Sequence, residues 1–275
     1  MVDLSQQKLF IGTSGFQFED WVGPVYPPDL SRDTRLSYYR DHLGFNALEL
    51  NYTYYRLPLP RTSSGLLKKV DAEFRFVVRS HREMTHEIWA DARRERLQDN
   101  RPVFEAFRKG IEPLWRAGQL GCLLLQFPTF FLPTREHLRY LQFCREQLAG
   151  YPLVVEFRHR AWNREETYAQ LTSLGIGTCV VDEPPLPPLM PFQLEITAPT
   201  AYLRLHGRNR RWFKATREER YHYQYSLEEL RQFLPAVRRM QAKADQVYIF
   251  FNNCHGGWAV QNALQLKALL AVEAR

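Results

Sequence analysis

Five apolar runs in this chain end alike, and that ending constrains the fold more than any other feature. Four close on polar residues two apart: Glu49 and Asn51, Arg79 and His81, Glu156 and Arg158, Arg204 and His206. In the fifth, Asn252 follows Phe250 at the same spacing. The residues beside them are apolar, as in Leu48 and Leu50, Val155 and Phe157, or Leu203 and Leu205. A β-strand sends alternate residues to opposite faces, so a spacing of two places each pair on one face. Each run therefore has one greasy face and one face that turns polar at its C-terminal end. Several strands sharing this plan predict a site assembled from strand ends.

The rest of the sequence alternates strand-like with helix-like periods. Strands are expected near 9–14, 46–50, 74–79, 121–126, 152–158, 177–182, 201–206 and 246–252. Helices are expected over 34–43, 62–70, 100–117, 135–149, 164–174, 226–243 and 257–271. Thr134 opens one of them, Ser226 with Glu229 forms a capping box, and Gly150 and Gly175 close two others. Eight such alternations in 275 residues fit a (β/α)8 TIM barrel, which typically needs ~250. An open doubly wound sheet is the alternative, but its strands are covered by helices on both faces and should be apolar on both. Charged residues on one face favour the barrel, here a single domain over 1–275. The sixth unit breaks the pattern. The prolines of EPPLPPLMP, residues 183–191, predict a rigid extended connection between strands 6 and 7 in place of a helix.

In such barrels the working residues lie at the C-terminal strand ends. The inward set expected there is Thr13 or Ser14, Glu49, Asn51, Arg79, His81, Gln126, Glu156, Arg158, Asp182, Arg204, His206 and Asn252. Its carboxylates, Glu49, Glu156 and Asp182, are matched in number by Arg79, Arg158 and Arg204. Part of that balance is required simply because buried charges must be paired. The outer members, His81, His206, Asn51, Asn252 and Arg158, have no such structural need to converge. Read as an active site, Glu156, Asp182, Glu49 and His206 handle protons. Arg158, Arg204, Arg79 and Arg208 hold an anion. Asn51, Asn252 and His81 orient it, and rim aromatics such as Trp162 and Tyr55 supply stacking faces. No cofactor is expected. A divalent metal is the lesser alternative, because three guanidinium groups would compete for the carboxylates and repel a cation.

Net charge is +7 and the pI is near 9.3, which favours anionic partners. The loop after strand seven concentrates that charge: residues 208–220 carry six basic residues against two acidic ones, interleaved with Trp212 and Phe213. No apolar run reaches the roughly 18 residues of a membrane helix, and the start lacks a signal-peptide plan. No C-x-x-C pair occurs among Cys122, Cys144, Cys179 and Cys254. A cytoplasmic protein with reduced thiols and no membrane association is expected, and no protein partner is implied. These features predict an enzyme of hydrolase or lyase type acting on a phosphate-bearing substrate, a nucleotide or nucleic acid. Two alternatives remain: a nucleic-acid-binding protein without catalysis, and a glycoside hydrolase.

Nine segments also carry a family resemblance. They are GTSGF with Trp21 and Tyr26-Pro27, ELNYTYYRLP (49–58), FRFVVRSHREMTHE (74–87), LLLQFP (123–128), VEFRHRAW (155–162), VVD (180–182), YLRLHGR (202–208), RYHYQYSLEEL (220–230) and FFNNCHGGWAVQNA (250–263). In this order, from about residue 10 to about 270, they resemble the YecE-like family, domain of unknown function 72. The resemblance implies a (β/α)8 barrel whose activity is not established. Arg79 stands where that family usually carries lysine, which keeps the charge and removes an amine nucleophile.

Overall fold

The computed structural model describes residues 8–273. Its strands are β1 (Lys8–Thr13), β2 (Ala47–Leu50), β3 (Arg75–Arg79), β4 (Leu120–Gln126), β5 (Leu153–Glu156), β6 (Ile176–Asp182), β7 (Thr200–Leu205) and β8 (Gln246–Phe251). All pairings are parallel, and the order β1-β8-β7-β6-β5-β4-β3-β2 rolls one sheet into a (β/α)8 barrel. Helices α1 (Arg35–Asp41), α2 (Pro60–Leu67), α3 (Arg101–Arg116), α4 (Arg135–Gln147) and α5 (Glu165–Ser173) occupy the first five connections. After β7 come α6 (Arg217–Arg220), α7 (Leu227–Arg231) and α8 (Leu234–Lys243), and α9 (Trp258–Glu273) follows β8. Among the described residues, no helix is long and apolar enough to cross a membrane.

The seam between β1 and β2 closes through one parallel backbone bridge, Ser14 with Glu49, and through side chains. The Ile11 amide donates to Asn46 Oδ1 at 3.0 Å, and Asn46 Nδ2 donates to the Leu9 carbonyl at 2.9 Å. The Tyr39 hydroxyl accepts from the Thr13 amide at 2.8 Å and donates to the Ala47 carbonyl at 3.2 Å. The strands approach so closely here that a Cβ on Gly12 would lie 2.1 Å from that carbonyl oxygen. These contacts satisfy backbone groups that a ladder would otherwise pair.

Local chemistry explains most element ends. Thr134 Oγ1 accepts the His137 amide and starts α4, whose buried side carries Tyr140, Leu141 and Cys144. The capping box of Ser226 and Glu229 is present, but the helix expected over 226–243 is two helices. Pro235 sits in the first turn of α8, where its missing N–H costs nothing, whereas inside a continuous helix it would remove a hydrogen bond. The connection between β6 and β7 has no helix, as its prolines predict. Thr197 Oγ1 ties it to the Ile176 carbonyl, and Met190 packs into the barrel interior.

Alternation along the strands divides the core in two. One set, including Leu48, Val78, Leu123, Val155, Leu203 and Ile249, packs between sheet and helices. The other, including Phe10, Val77, Leu124, Val154, Val181 and Tyr248, fills the barrel. Continued toward the C-terminal ends, the inner set becomes charged, and the site begins there.

Candidate functional site: the barrel mouth

Five charged side chains form one alternating chain across the mouth. Arg204 on β7 donates to Glu49 on β2 from Nη2 at 2.7 Å and from Nε at 3.1 Å. Its Nη1 donates to Glu156 on β5 at 3.0 Å. Glu156 also takes Arg158 Nε at 3.1 Å, and Arg158 Nη1 continues to Glu183 just beyond β6. Tyr202 donates its hydroxyl to Glu49 at 2.5 Å. Glu49 and Glu156 are fully buried and Arg204 is 1% exposed. Such charges persist inside a protein only when paired and hydrogen-bonded. Burial pushes the Glu156 carboxyl upward, but Arg204, His206 and Arg158 together hold it well below the ordinary carboxylate range. Burial dominates at Glu183, which is pushed up to about 7 despite Arg158.

His206 completes the inner layer. Burial, reinforced by Arg158, lowers it to about 3, so the ring is neutral near pH 7. Its Nε2 lies 3.2 Å from Glu156 Oε1, and its Nδ1 lies 2.9 Å from Asn252 Nδ2. A carboxylate can only accept and an amide NH2 can only donate. The ring is therefore the Nε2–H tautomer, donating to Glu156 and accepting from Asn252. The loop after β7 covers it: the rings of Trp212 and Tyr221 both stand 6.3 Å from the imidazole. Trp212 also lies under the Arg158 guanidinium, 5.3 Å away.

Beside this locked chain opens a cleft of about 720 Å³. Its floor includes Ser14, Glu49, Asn51, Arg79 and Asn252, and its walls include Phe16, Phe18, Tyr52, Tyr55 and Tyr221. Here the hydrogen bonding is incomplete. Ser14 Oγ, Asn51 Oδ1 and Arg79 Nε are buried atoms with no hydrogen-bond partner among the described residues. Arg79 donates Nη2 to Gln126 Oε1 at 2.5 Å and lies 4.1 Å from the Tyr54 ring centroid. Among the described residues no carboxylate pairs with it, unlike Arg158 and Arg204. Burial, and next the charge of Arg204, lower it to about 10. It remains a cation at neutral pH, and among the described residues it is the arginine of the layer that lines the cleft and keeps an unpaired donor, Nε.

Residues 10–275 match the family described as "Protein of unknown function DUF72". The chain belongs to the DUF72 family. It is 31% identical to the UPF0759 protein YunF of Bacillus subtilis, over 96% of this chain and 95% of that one. A DUF72 family protein from Thermotoga maritima has a similar structure, with 44% identity and a TM-score of 0.89 over 96% of this chain and all of that one. Another, from Enterococcus faecalis, gives 26% identity and 0.82 over 96% and 95%.

In this DUF72 barrel several expected site residues lie elsewhere. Asp182 is not inward. It shares the outer face with Val180, while Val181 and Cys179 point into the barrel. It accepts the Tyr225 hydroxyl at 2.6 Å and two donors of Arg208 at 2.9–3.0 Å. Arg208, which also pairs with Glu229, is thereby removed from the mouth. Glu183, one residue on, has the inward role instead. His81 leaves the strand path and caps the turn Arg82–Met84, accepting the Glu83 amide at 3.4 Å. Trp162 is fully buried, stacked on Phe157 at 4.0 Å and donating to the Phe131 carbonyl, so it offers no face to a ligand. Arg210, Arg211 and Lys214 are exposed and line no part of the cleft. Glu49, Asn51, Arg79, Asn252 and Tyr55 do line it, with Glu156, Arg158, Arg204 and His206 directly behind. Among the described residues no group of three or more His, Cys, Asp or Glu is arranged to hold a metal ion.

Proposed function

We propose that the mouth binds an anionic, phosphate-bearing small molecule and is the place where it is transformed. The observation that carries this reading is Arg79: a half-buried arginine at the cleft whose buried Nε–H has no hydrogen-bond partner, and whose guanidinium has no carboxylate partner, among the described residues. An unsatisfied buried donor costs about 1–3 kcal/mol, more when charged, and a phosphate oxygen removes that cost. Ser14 and Asn252 line the same cleft as further polar groups. In a reaction, Arg79 would stabilise charge developing on the bound oxygens. The Glu156–His206–Asn252 chain holds Asn252 in place on the cleft floor.

The same geometry supports this reading over its alternatives. A glycosidase needs two carboxyl groups free to work, one of them raised. Here Glu49 and Glu156 share Arg204. A polynucleotide groove needs its cations along the groove, and the basic loop residues lie outside the cleft. The test is calorimetric titration with inorganic phosphate, using the wild type and Arg79→Gln. Binding that falls at least tenfold in the variant is expected. Phosphate binding that is absent, or indifferent to Arg79, would refute the proposal.

A further inference from the structure

The cleft's unsatisfied atoms are of opposite kinds. Arg79 Nε is a donor, Asn51 Oδ1 is an acceptor, and Ser14 Oγ can be either. Ser14 is 1% exposed, so its hydroxyl has little access to bulk water. An anion alone satisfies Arg79 Nε and the Ser14 hydroxyl as donors and leaves the Asn51 oxygen without one. The ligand must therefore present hydroxyl or N–H groups close to its anionic group.

The charge of the lining narrows the class further. Among the described residues Arg79 is the one arginine or lysine lining the cleft, against Glu49 on the floor and Glu19 and Asp20 on the outer wall. Arg32 and Arg35 pair with Glu19. Asp20 Oδ2 accepts the Gly256 amide at 2.7 Å and lies 3.9 Å from His255 Nδ1. A polyanion extending outward from Arg79 would meet these carboxylates, whereas hydroxyl groups could donate to Asp20. Between floor and rim stand Phe16, Phe18, Tyr52 and Tyr55, aromatic faces suited to the C–H side of a sugar ring. About 720 Å³ is ample for one small molecule.

We propose that the ligand is a sugar monophosphate, bound with phosphate inward on Arg79 and Ser14 and with hydroxyls on Asn51 and, at the rim, Asp20. This deepens the phosphate reading above and rests on it.

The test compares inorganic phosphate, ribose 5-phosphate, AMP and ATP by calorimetry on the wild type, Asn51→Ala and Asp20→Asn. One or two added hydrogen bonds should make ribose 5-phosphate roughly 5- to 30-fold tighter than phosphate. Asn51→Ala should erase most of that margin. ATP should bind more weakly than ribose 5-phosphate, and Asp20→Asn should narrow that gap by up to about fivefold. Phosphate binding that needs Arg79, with ribose 5-phosphate no tighter and neither variant selective, overturns this inference alone. AMP tenfold tighter than ribose 5-phosphate also overturns it, in favour of base recognition. Failure of every probe to depend on Arg79 overturns the phosphate reading as well.

Discussion

Arg204→Met should be among the most damaging single changes in this barrel. One guanidinium serves two fully buried carboxylates through contacts of 2.7, 3.0 and 3.1 Å. Methionine fills much of the same space and supplies no charge. Glu49 would keep only the Tyr202 hydroxyl, and Glu156 would keep Arg158 and His206. Removing one partner from a buried ion pair costs about 3–5 kcal/mol, because the remaining charge stays desolvated. At roughly 2–4 °C per kcal/mol for a domain approaching this size, the midpoint should fall by about 6–20 °C. The loss depends on pH with a definite sign. The folded-state pKa of Glu156 is depressed, so its stabilisation is complete above the ordinary carboxylate range and fades as pH falls through the folded value. The variant should therefore differ most from wild type at neutral pH and least in acid. The assay is urea and thermal unfolding at several pH values. Adding Glu49→Gln and Glu156→Gln to Arg204→Met removes the stranded charges and should recover about 2 kcal/mol. A loss under about 1 kcal/mol, or destabilisations that simply add in the triple variant, would refute the reasoning.

Two further outcomes follow from the corrected placements. Glu183 is raised from 4.5 to about 7, so the folded state binds its proton more tightly than the unfolded chain. Stability should fall by about 3 kcal/mol from this group as pH rises between those values, and Glu183→Gln should flatten that part of the pH–stability curve; parallel curves would refute the assignment. Arg208→Ala should leave phosphate affinity within about twofold, because Arg208 pairs with Asp182 and Glu229 outside the barrel. Its stability cost, measured by urea unfolding, should reach about 2–3 kcal/mol, because the buried Asp182 would keep the Tyr225 hydroxyl and lose the guanidinium.

The sequence made the barrel legible because its signals there are local and periodic. Polar spacing by two at the ends of β2, β3, β5 and β7 reports directly which face is inward. It failed where the chain leaves the strand. His81 is two residues past Arg79, but β3 ends at Arg79 and the backbone turns, so parity no longer governs it. Asp182 failed for the opposite reason. It is still in β6, and counting back through Val181 and Cys179 to the inward Tyr202 and Arg204 of β7 would have assigned it outward. That register needs the strand pairing, which no single segment states. Glu183 was hidden by the proline run that follows it. The charge balance survived the error, since Glu183 replaces Asp182 opposite Arg158.

That survival divides the mouth into two halves with different chemistry. On one side, Glu49, Arg204, Glu156, Arg158 and Glu183 neutralise one another, and His206 and Asn252 extend the network. Such a network resists rearrangement, since moving any member strands another charge. On the other side, Ser14, Asn51 and Arg79 keep unpaired polar atoms at a cost of about 1–3 kcal/mol each. A fold that satisfies the charges of one half so thoroughly had the residue types available to satisfy the other. Arg79 lacks a carboxylate although Glu49 and Glu156 are close enough to affect its titration, because Arg204 already occupies both. The locked half thus keeps Arg79 free. Arg204→Met, by releasing Glu49 and Glu156, should let one of them capture Arg79 and weaken phosphate binding without touching the cleft. Phosphate affinity equal to wild type in a folded Arg204→Met protein would break that link.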